Sequence, residues 1–409
     1  MNRQHGPAVA RARSAFLSTH PELLTEWRTM QRRIVEHVRE PRTSDLDGAP
    51  STIPAHFYTD PARFEAEQAS VFAELPLLAG FSGDVPEPGD RLLFDEAGPP
   101  ILIVRDRDRR VRAFLNLCPH RGARLVESCD PGRMLTCPFH GWSFELDGRL
   151  AGIPHAAAFE GIDRDALRLV ELPAEEWHGM LFVCGKPEAK LDVEGYLGPI
   201  APLCAALELE KLERVRLDRF EVESNWKIAL DTFCENYHVP ALHRNSLNRN
   251  LLSYVTIFDH YGRHHRYSGP GDDFLEIAGK PEDEWPGDGY QAVHYLFPNT
   301  IISYTHAFDG ETPVVATFRV FPGQSVGDSV TLGATYRRSD AAEASDDLIG
   351  QMHDIVLDIV RNEDYRVARE AFRSLSHAPP GFRLTLGRTE PLLRAYHQEL
   401  ATVTGLPID

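Results

Sequence analysis

Cys118-Pro119-His120-Arg121-Gly122 and Cys137-Pro138-Phe139-His140-Gly141-Trp142 each set one thiol beside one imidazole, and together they offer two cysteines and two histidines as metal ligands. Tetrahedral zinc accepts such a set, but zinc fingers run Cys-x₂₋₄-Cys ahead of His-x₃₋₅-His. Here each cysteine is paired with its own histidine. That pairing predicts a [2Fe–2S] centre in which Cys118 and Cys137 hold one iron and His120 and His140 the other. Neutral imidazoles in place of two thiolates make such a cluster easier to reduce than an all-cysteine one. Because both ligand pairs lie among short runs punctuated by Gly and Pro, the surrounding domain is read as β-rich, with the ligands on two hairpin-type loops.

A second motif begins at Asn225 and reads Asn-Trp-Lys-Ile-Ala-Leu-Asp-Thr-Phe-Cys-Glu-Asn-Tyr-His-Val-Pro-Ala-Leu-His. Asp231, Glu235 and His238 recur at i, i+4 and i+7, which on one α-helix would give them a shared face. Pro240 disfavours continuing the helix, so a turn is expected to bring His243 back beside His238. Two imidazoles plus one carboxylate, with other positions open, make the facial triad of a non-haem Fe(II) oxygenase. A His-x₄-His pair alone is more often an ordinary polar cluster; its weight comes from following the cysteine–histidine motif.

On these residues the chain resembles the large (α) subunit of a Rieske non-haem iron ring-hydroxylating oxygenase, from about residue 100 to Glu390. The resemblance matches Asn225-Trp226-Lys227, Glu235 and Tyr237-His238 to recurring family positions. It implies His238 and His243 as iron ligands and a third ligand from an Asp, commonly in a Glu-Asp pair on a downstream helix. Arg361-Asn362-Glu363-Asp364-Tyr365 fits best and assigns Asp364, while Asp354, Asp358 and Glu363 share the same expected helix and leave the choice to geometry. The resemblance further implies a head-to-tail homotrimer, with or without a small β subunit. In it, Glu235 would bridge its own His238 and His140 of the partner subunit. Asp231 is expected to cap polar groups inside the site, since a carboxylate on that side of the helix is otherwise costly to bury.

The chain has 409 residues, enough for two domains, with 42% hydrophobic and 25% charged residues. Its net charge of −18 argues against nucleic acid and against anionic membrane surfaces. No apolar run approaches the ~20 residues of a membrane span, and the polar start shows no signal-peptide pattern, so a cytoplasmic location is expected. Six cysteines, four of them scattered at Cys129, Cys184, Cys204 and Cys234, suggest no disulfide framework. The high-potential Rieske proteins carry an extra cysteine on each cluster loop, where this chain has Ala123 and Phe139, and a serine where it has Trp142. Fewer hydroxyl hydrogen bonds to the cluster sulfurs imply a lower potential.

Along the chain, Thr19-His20-Pro21-Glu22 has capping-box spacing and opens a helix to about Val38. Residues 41–54 are read as a linker, 60–75 and 196–207 as helices, and 91–94, 101–104, 111–115 and 179–183 as strands. Strand patterns at 215–222, 290–297, 300–306, 314–321 and 329–336 predict a curved antiparallel sheet, closed by a long, interrupted helix over 342–372. The expected fold class is α+β: a β-rich Rieske [2Fe–2S] domain set into a helix-over-antiparallel-sheet (helix-grip-like) catalytic domain. The expected divisions are 1–74 as an N-terminal helical segment, 75–186 as the Rieske domain and 187–409 as the mononuclear iron domain.

No G-x-G-x-x-G dinucleotide fingerprint and no four-cysteine ferredoxin pattern occur, so electrons must come from a separate reductase, with or without a ferredoxin. The expected function is a terminal oxygenase component that activates O₂ at a mononuclear non-haem iron and hydroxylates a small aromatic or carboxylated substrate. The alternative is oxidative N- or O-demethylation of a quaternary amine or aryl ether. An electron-transfer Rieske protein would not need the His238/His243 pair, and a zinc hydrolase with a structural Cys₂His₂ site would lack iron and sulfide. Phe233, Leu296, Phe297, Ile302, Tyr304 and Phe318 are the pocket candidates, any one of which is more often ordinary core, and His260, His264, His265 and His294 could bind a carboxylate substrate but are read as surface histidines.

Overall fold

The computed structural model describes residues 21–40, 44–96, 98–247, 251–287, 290–307, 312–340 and 345–409. The chain forms two units, one of Ala66–Tyr196 with Glu208–Glu213, the other of Met1–Glu65, Leu197–Leu207 and Arg214–Asp409. No described helix is long and apolar enough to cross a membrane.

The first unit is built from small antiparallel sheets. Arg91–Phe94, Ile101–Arg105, Val111–Leu115 and Glu171–Leu172 make one; Ala174–Trp177, Met180–Val183 and Leu77–Phe81 a second; Leu135–Thr136, Ser143–Phe144 and Leu150–Gly152 a third. Their inner faces enclose a core of Leu102, Val104, Phe114, Leu135, Trp142 and Phe144 that also takes in Cys118 and Cys137. The buried Asn116 side chain donates to the Val126 carbonyl at 2.8 Å and accepts from the Leu125 and Val126 amides at 3.1 and 2.9 Å, bracing the segment that carries the first ligand loop.

The second unit is a seven-stranded antiparallel sheet in the order Leu212–Val222, Ser329–Arg338, Pro313–Pro322, Thr300–His306, Ala292–Leu296, His264–Ser268, Ile257–Tyr261. Directly paired residues point to the same side of a sheet. The register therefore sets His265, Tyr295, Ile301, Phe318 and Gly333 in one row, and Tyr267, Val293, Ser303, Ala316 and Thr335 in a second row on that same face. This face carries the helices: Tyr295 packs on Tyr396 at 5.5 Å between ring centres, and the Thr335 hydroxyl meets His353 Nδ1 at 2.8 Å. Gly333 permits the approach, since a Cβ there would stand 2.8 Å from Leu357 Cδ2. The opposite face holds Arg266, His294, Ile302 and Thr317, and Arg266 pairs with Glu26 of the helix Pro21–Arg39 at 2.6 Å.

Several expectations change. The capping box starts outside the described residues, although the helix Pro21–Arg39 buries Leu23, Trp27, Met30 and Ile34 as its periodicity requires. Part of the supposed linker is the strand Ser51–Pro54, paired with Arg383–Leu386. The 60–75 helix is Pro61–Glu67 continued by a π-turn at Gln68–Phe72. The long C-terminal helix is Asp346–Ile359, a π-turn at Val360–Asp364, then Tyr365–Leu375. His264, His265 and His294 are buried on strands instead of lying on the surface. Leu296, Ile302 and Tyr304 face away from Phe318, because a strand alternates its sides and they fall on the other parity.

Candidate metal centres

The two cysteine–histidine loops share one backbone form. In the first, the Cys118 amide donates to the Ala123 carbonyl at 2.8 Å and the Gly122 amide to the Cys118 carbonyl at 2.9 Å; in the second, Cys137 bonds Trp142 at 2.8 Å and Gly141 bonds Cys137 at 3.0 Å. Gly122 and Gly141 close these turns at φ of 74° and 73°, the left-handed region that a side chain disfavours. The same turn thus carries its histidine at the third place in one loop and at the fourth in the other. The His120 and His140 rings stand 4.6 Å apart, and His120 lies flat against Trp142 at 4.7 Å. Cys118 and Cys137 are buried and not disulfide-bonded. His140 Nδ1 is buried with no hydrogen-bond partner. A buried nitrogen without a partner is costly unless something coordinates it, so the loops fit a bound cluster. Leu117 and Phe139 remain exposed at the loop tips, with the Arg121 guanidinium 5.2 Å from the Phe139 ring centre.

The second centre lies in the other unit. The helix Trp226–Asp231 is capped by the Asn225 side chain, which accepts from the Lys227 amide at 3.0 Å, and it ends at Asp231. Glu235 and His238 therefore do not share a helical face with Asp231; a turn brings them together. A short helix, Val239–Leu242, with Pro240 in its first turn then delivers His243. Glu235 Oε1 meets His238 Nδ1 at 2.5 Å, and Oε2 accepts the His238 amide at 3.0 Å. Glu363 Oε2 meets His243 Nδ1 at 2.8 Å and accepts the Ser246 hydroxyl at 2.9 Å. With both Nδ1 atoms engaged, the two Nε2 atoms face Asp364 Oδ1, at 3.5 Å from His238 and 3.2 Å from His243. One ligand atom from each of His238, His243 and Asp364 lies within 4.8 Å of the others.

The π-turn Val360–Asp364 accounts for two consecutive carboxylates serving one site. Its wider turn shifts the face presented by the following residues, a device frequent at functional sites. Burial opposes a charged His243, yet Asp364 and Glu363 outweigh it and hold its pKa above the ordinary value. Three carboxylates around two imidazoles call for a cation where the Nε2 atoms and Asp364 converge. Nitrogen and carboxylate donors in this ratio suit Fe(II), and carboxylates on the outer imidazole nitrogens are the usual way such ligands are aimed.

Of the open alternatives for the third ligand, Asp354 and Asp358 are exposed, Asp358 accepting from Asn362 at 2.6 Å, and Glu363 is on the outer side of His243. Asp231 is engaged elsewhere: it accepts from Tyr58 at 2.7 Å and from Tyr396, and meets His397 Nε2 at 3.1 Å. It caps three polar groups from the short helix His56–Thr59 and the helix Pro391–Thr404. Glu363 and Ser246 as partners of His243 were not foreseen. The adjacent Glu-Asp pair was the available signal, but reading it required the π-turn.

The sequence matches the Rieske [2Fe-2S] domain over residues 76–171 and the ring hydroxylating alpha subunit (catalytic domain) over residues 209–405. It is 35% identical over 195 residues to the carnitine monooxygenase oxygenase subunit of Escherichia coli K12, covering 47% of this chain and 52% of that protein. It is 29% identical over 215 residues to the biphenyl 2,3-dioxygenase subunit alpha of Rhodococcus jostii RHA1, covering 49% of this chain and 46% of that protein. The chain thus spans about half the length of the curated relatives it matches. A quaternary ammonium Rieske monooxygenase solved with L-carnitine superposes with a TM-score of 0.72 at 21% identity over 89% of this chain and 99% of that one, a likeness of fold. The two matched domains imply a Rieske [2Fe–2S] cluster and a mononuclear iron as cofactors. With both domains matched in this order and both ligand sets assembled, the chain belongs to the Rieske non-haem iron ring-hydroxylating oxygenases, as a large (α) subunit.

Proposed function

We propose that this chain is the terminal oxygenase component of a system in which a separate reductase, with or without a ferredoxin, supplies electrons. The observation that carries the reading is the pair of imidazoles aimed by Glu235 and Glu363 so that both Nε2 atoms converge on the buried Asp364. When bound, the [2Fe–2S] cluster supplies single electrons and the mononuclear Fe(II) supplies O₂ activation. The protein's own part is positional. Cys118, His120, Cys137 and His140 hold the cluster, and His238, His243 and Asp364 hold the iron while leaving positions open. Glu235 and Glu363 fix the imidazole orientations, and Asp231 pins the end of the helix that leads to Glu235.

The 35% identity to a carnitine monooxygenase subunit favours oxidation beside a quaternary nitrogen over hydroxylation of an arene. Half-buried Phe233, stacked on the buried Phe318 at 4.6 Å and edge-on to the buried Tyr365 at 6.1 Å, is the aromatic side chain that would meet a quaternary ammonium, through the ring face that Phe318 does not cover. A homotrimer belongs to the same reading, with Glu235 linking its His238 to the partner subunit's His140. Exposed Leu117 and Phe139 beside the cluster loops and Tyr237 beside His238 are surfaces that such an assembly would cover. Supplied with a reductase and loaded with both metals, the protein should consume O₂ in response to a quaternary amine and place ¹⁸O from ¹⁸O₂ in the product. Cluster reduction without O₂ uptake on any quaternary amine or arene would make it an electron carrier and contradict the reading.

A further inference from the structure

We infer that Ser246 is a positioning residue of the mononuclear centre: its hydroxyl holds the Glu363 carboxylate against His243 Nδ1 and so keeps His243 Nε2 aimed at the site beside Asp364. The inference rests on the iron-centre reading and deepens it. The two imidazoles differ in how their outer carboxylates are held. Glu235 stands three residues before His238 and grips it with both oxygens, Oε1 on Nδ1 at 2.5 Å and Oε2 on the backbone amide at 3.0 Å. That side chain is 11% exposed, and the chain's own turn fixes it. Glu363 arrives from the π-turn 120 residues away, is 30% exposed, and meets His243 through Oε2. A flexible side chain held at one atom and open to water keeps much of its rotamer freedom, so a single contact orients it poorly.

Ser246 supplies a second hold on that same oxygen, donating to Glu363 Oε2 at 2.9 Å. It stands three residues after His243, and its amide donates to the His243 carbonyl at 3.0 Å, so ring and hydroxyl belong to one turn. A serine in such a turn ordinarily bonds its own local backbone. Here the contact to the His243 carbonyl is 3.4 Å, while the shorter one goes to a carboxylate 117 residues away. The hydroxyl has one proton to give, and an ionised carboxylate is the stronger acceptor. A carboxylate oxygen only accepts, and its two lone pairs accommodate both the Ser246 O–H and the His243 Nδ1–H. In the neutral imidazole Nδ1 then carries the proton, which leaves on Nε2 the lone pair that a metal ion needs. Ser246 thus acts on the iron ligand through Glu363, by narrowing where that carboxylate can sit.

The test is anaerobic Fe(II) titration of the full chain depleted of its mononuclear iron with the cluster in place, a readout that needs no turnover. Ser246→Ala should raise the Fe(II) dissociation constant by about 2- to 12-fold, the worth of one hydrogen bond. That is less than the loss expected on removing Glu363 itself, and the cluster spectrum should not change. Ser246→Thr keeps the hydroxyl and should bind Fe(II) as the wild type does. In a Glu363→Ala background, Ser246→Ala should cost nothing further, because its effect passes through that carboxylate. Wild-type affinity in Ser246→Ala, an equal loss in Ser246→Thr, or a loss that adds to that of Glu363→Ala would each overturn the inference and leave the iron centre standing. A wild type that binds no Fe(II) beyond the cluster's own iron would contradict the mononuclear centre instead.

Discussion

The cysteine–histidine loops and the mononuclear centre assemble their candidate ligands by opposite strategies. The loops draw four ligands from a stretch of twenty-three residues, 118–140, and each closes on itself through its own backbone hydrogen bonds and a glycine at positive φ. The mononuclear centre joins His238 and His243 to Asp364 from a distant helix, and its outer carboxylate Glu363 is 120 residues from the histidine it orients. Local closure makes the first centre depend on a few turns. The second exists only if the sheet, the C-terminal helices and the π-turn are all in register.

The strongest break of this contrast is Cys137→Ser. It should abolish the visible cluster spectrum while the extractable mononuclear iron remains bound, because no ligand of one centre serves the other. Loss of both metals would mean that the centres are not independent.

Two carboxylates sharpen the comparison. Glu235→Gln should leave both metals bound and slow reduction-coupled turnover by roughly 10–100-fold, since it is proposed to serve both centres across subunits. Glu363→Ala should instead weaken Fe(II) binding by roughly 10–100-fold, seen by iron titration of the iron-depleted protein, because it aims His243 alone. Equal effects of the two substitutions on iron affinity would erase the distinction.

Acid gives a smaller effect confined to the sheet unit. Burial pushes His265 and His294 down to about 3, against about 6.5 in an unfolded chain. The unfolded state binds protons that the folded state refuses, so this contribution is complete above pH 6.5 and is lost as pH falls towards 3. At pH 5 each histidine should cost on the order of 2 kcal/mol of stability relative to pH 7, measurable by urea unfolding. A flat profile between pH 6.5 and 5 would show that these imidazoles are not held neutral.

Legibility in the sequence followed the same divide. The matching form of the two loops that carry Cys118, His120, Cys137 and His140 could be read because local spacing alone sets them. His238 and His243 could be read as a pair, but the helical face assigned to Asp231, Glu235 and His238 was wrong, because the helix stops at Asp231 and spends that carboxylate on Tyr58, Tyr396 and His397. The strands Ile257–Tyr261 and His264–Ser268 were missed because their histidines and Arg266 look like surface residues. Pairing of Arg266 with Glu26 and Asp259, each at 2.6 Å, makes the burial of its charge tolerable. Which pocket candidates share a face depended on strand parity, and that became fixed only with the register.

The central claim, two chemically separate iron centres held by one chain, is tested most directly by iron and acid-labile sulfide analysis of the wild type beside His243→Ala. Two sulfides with the cluster's iron plus one further iron per chain in the wild type, and loss of that further iron alone in His243→Ala with the visible spectrum unchanged, is the predicted result. Zinc without sulfide in the wild type, or disappearance of the cluster spectrum in His243→Ala, would contradict it.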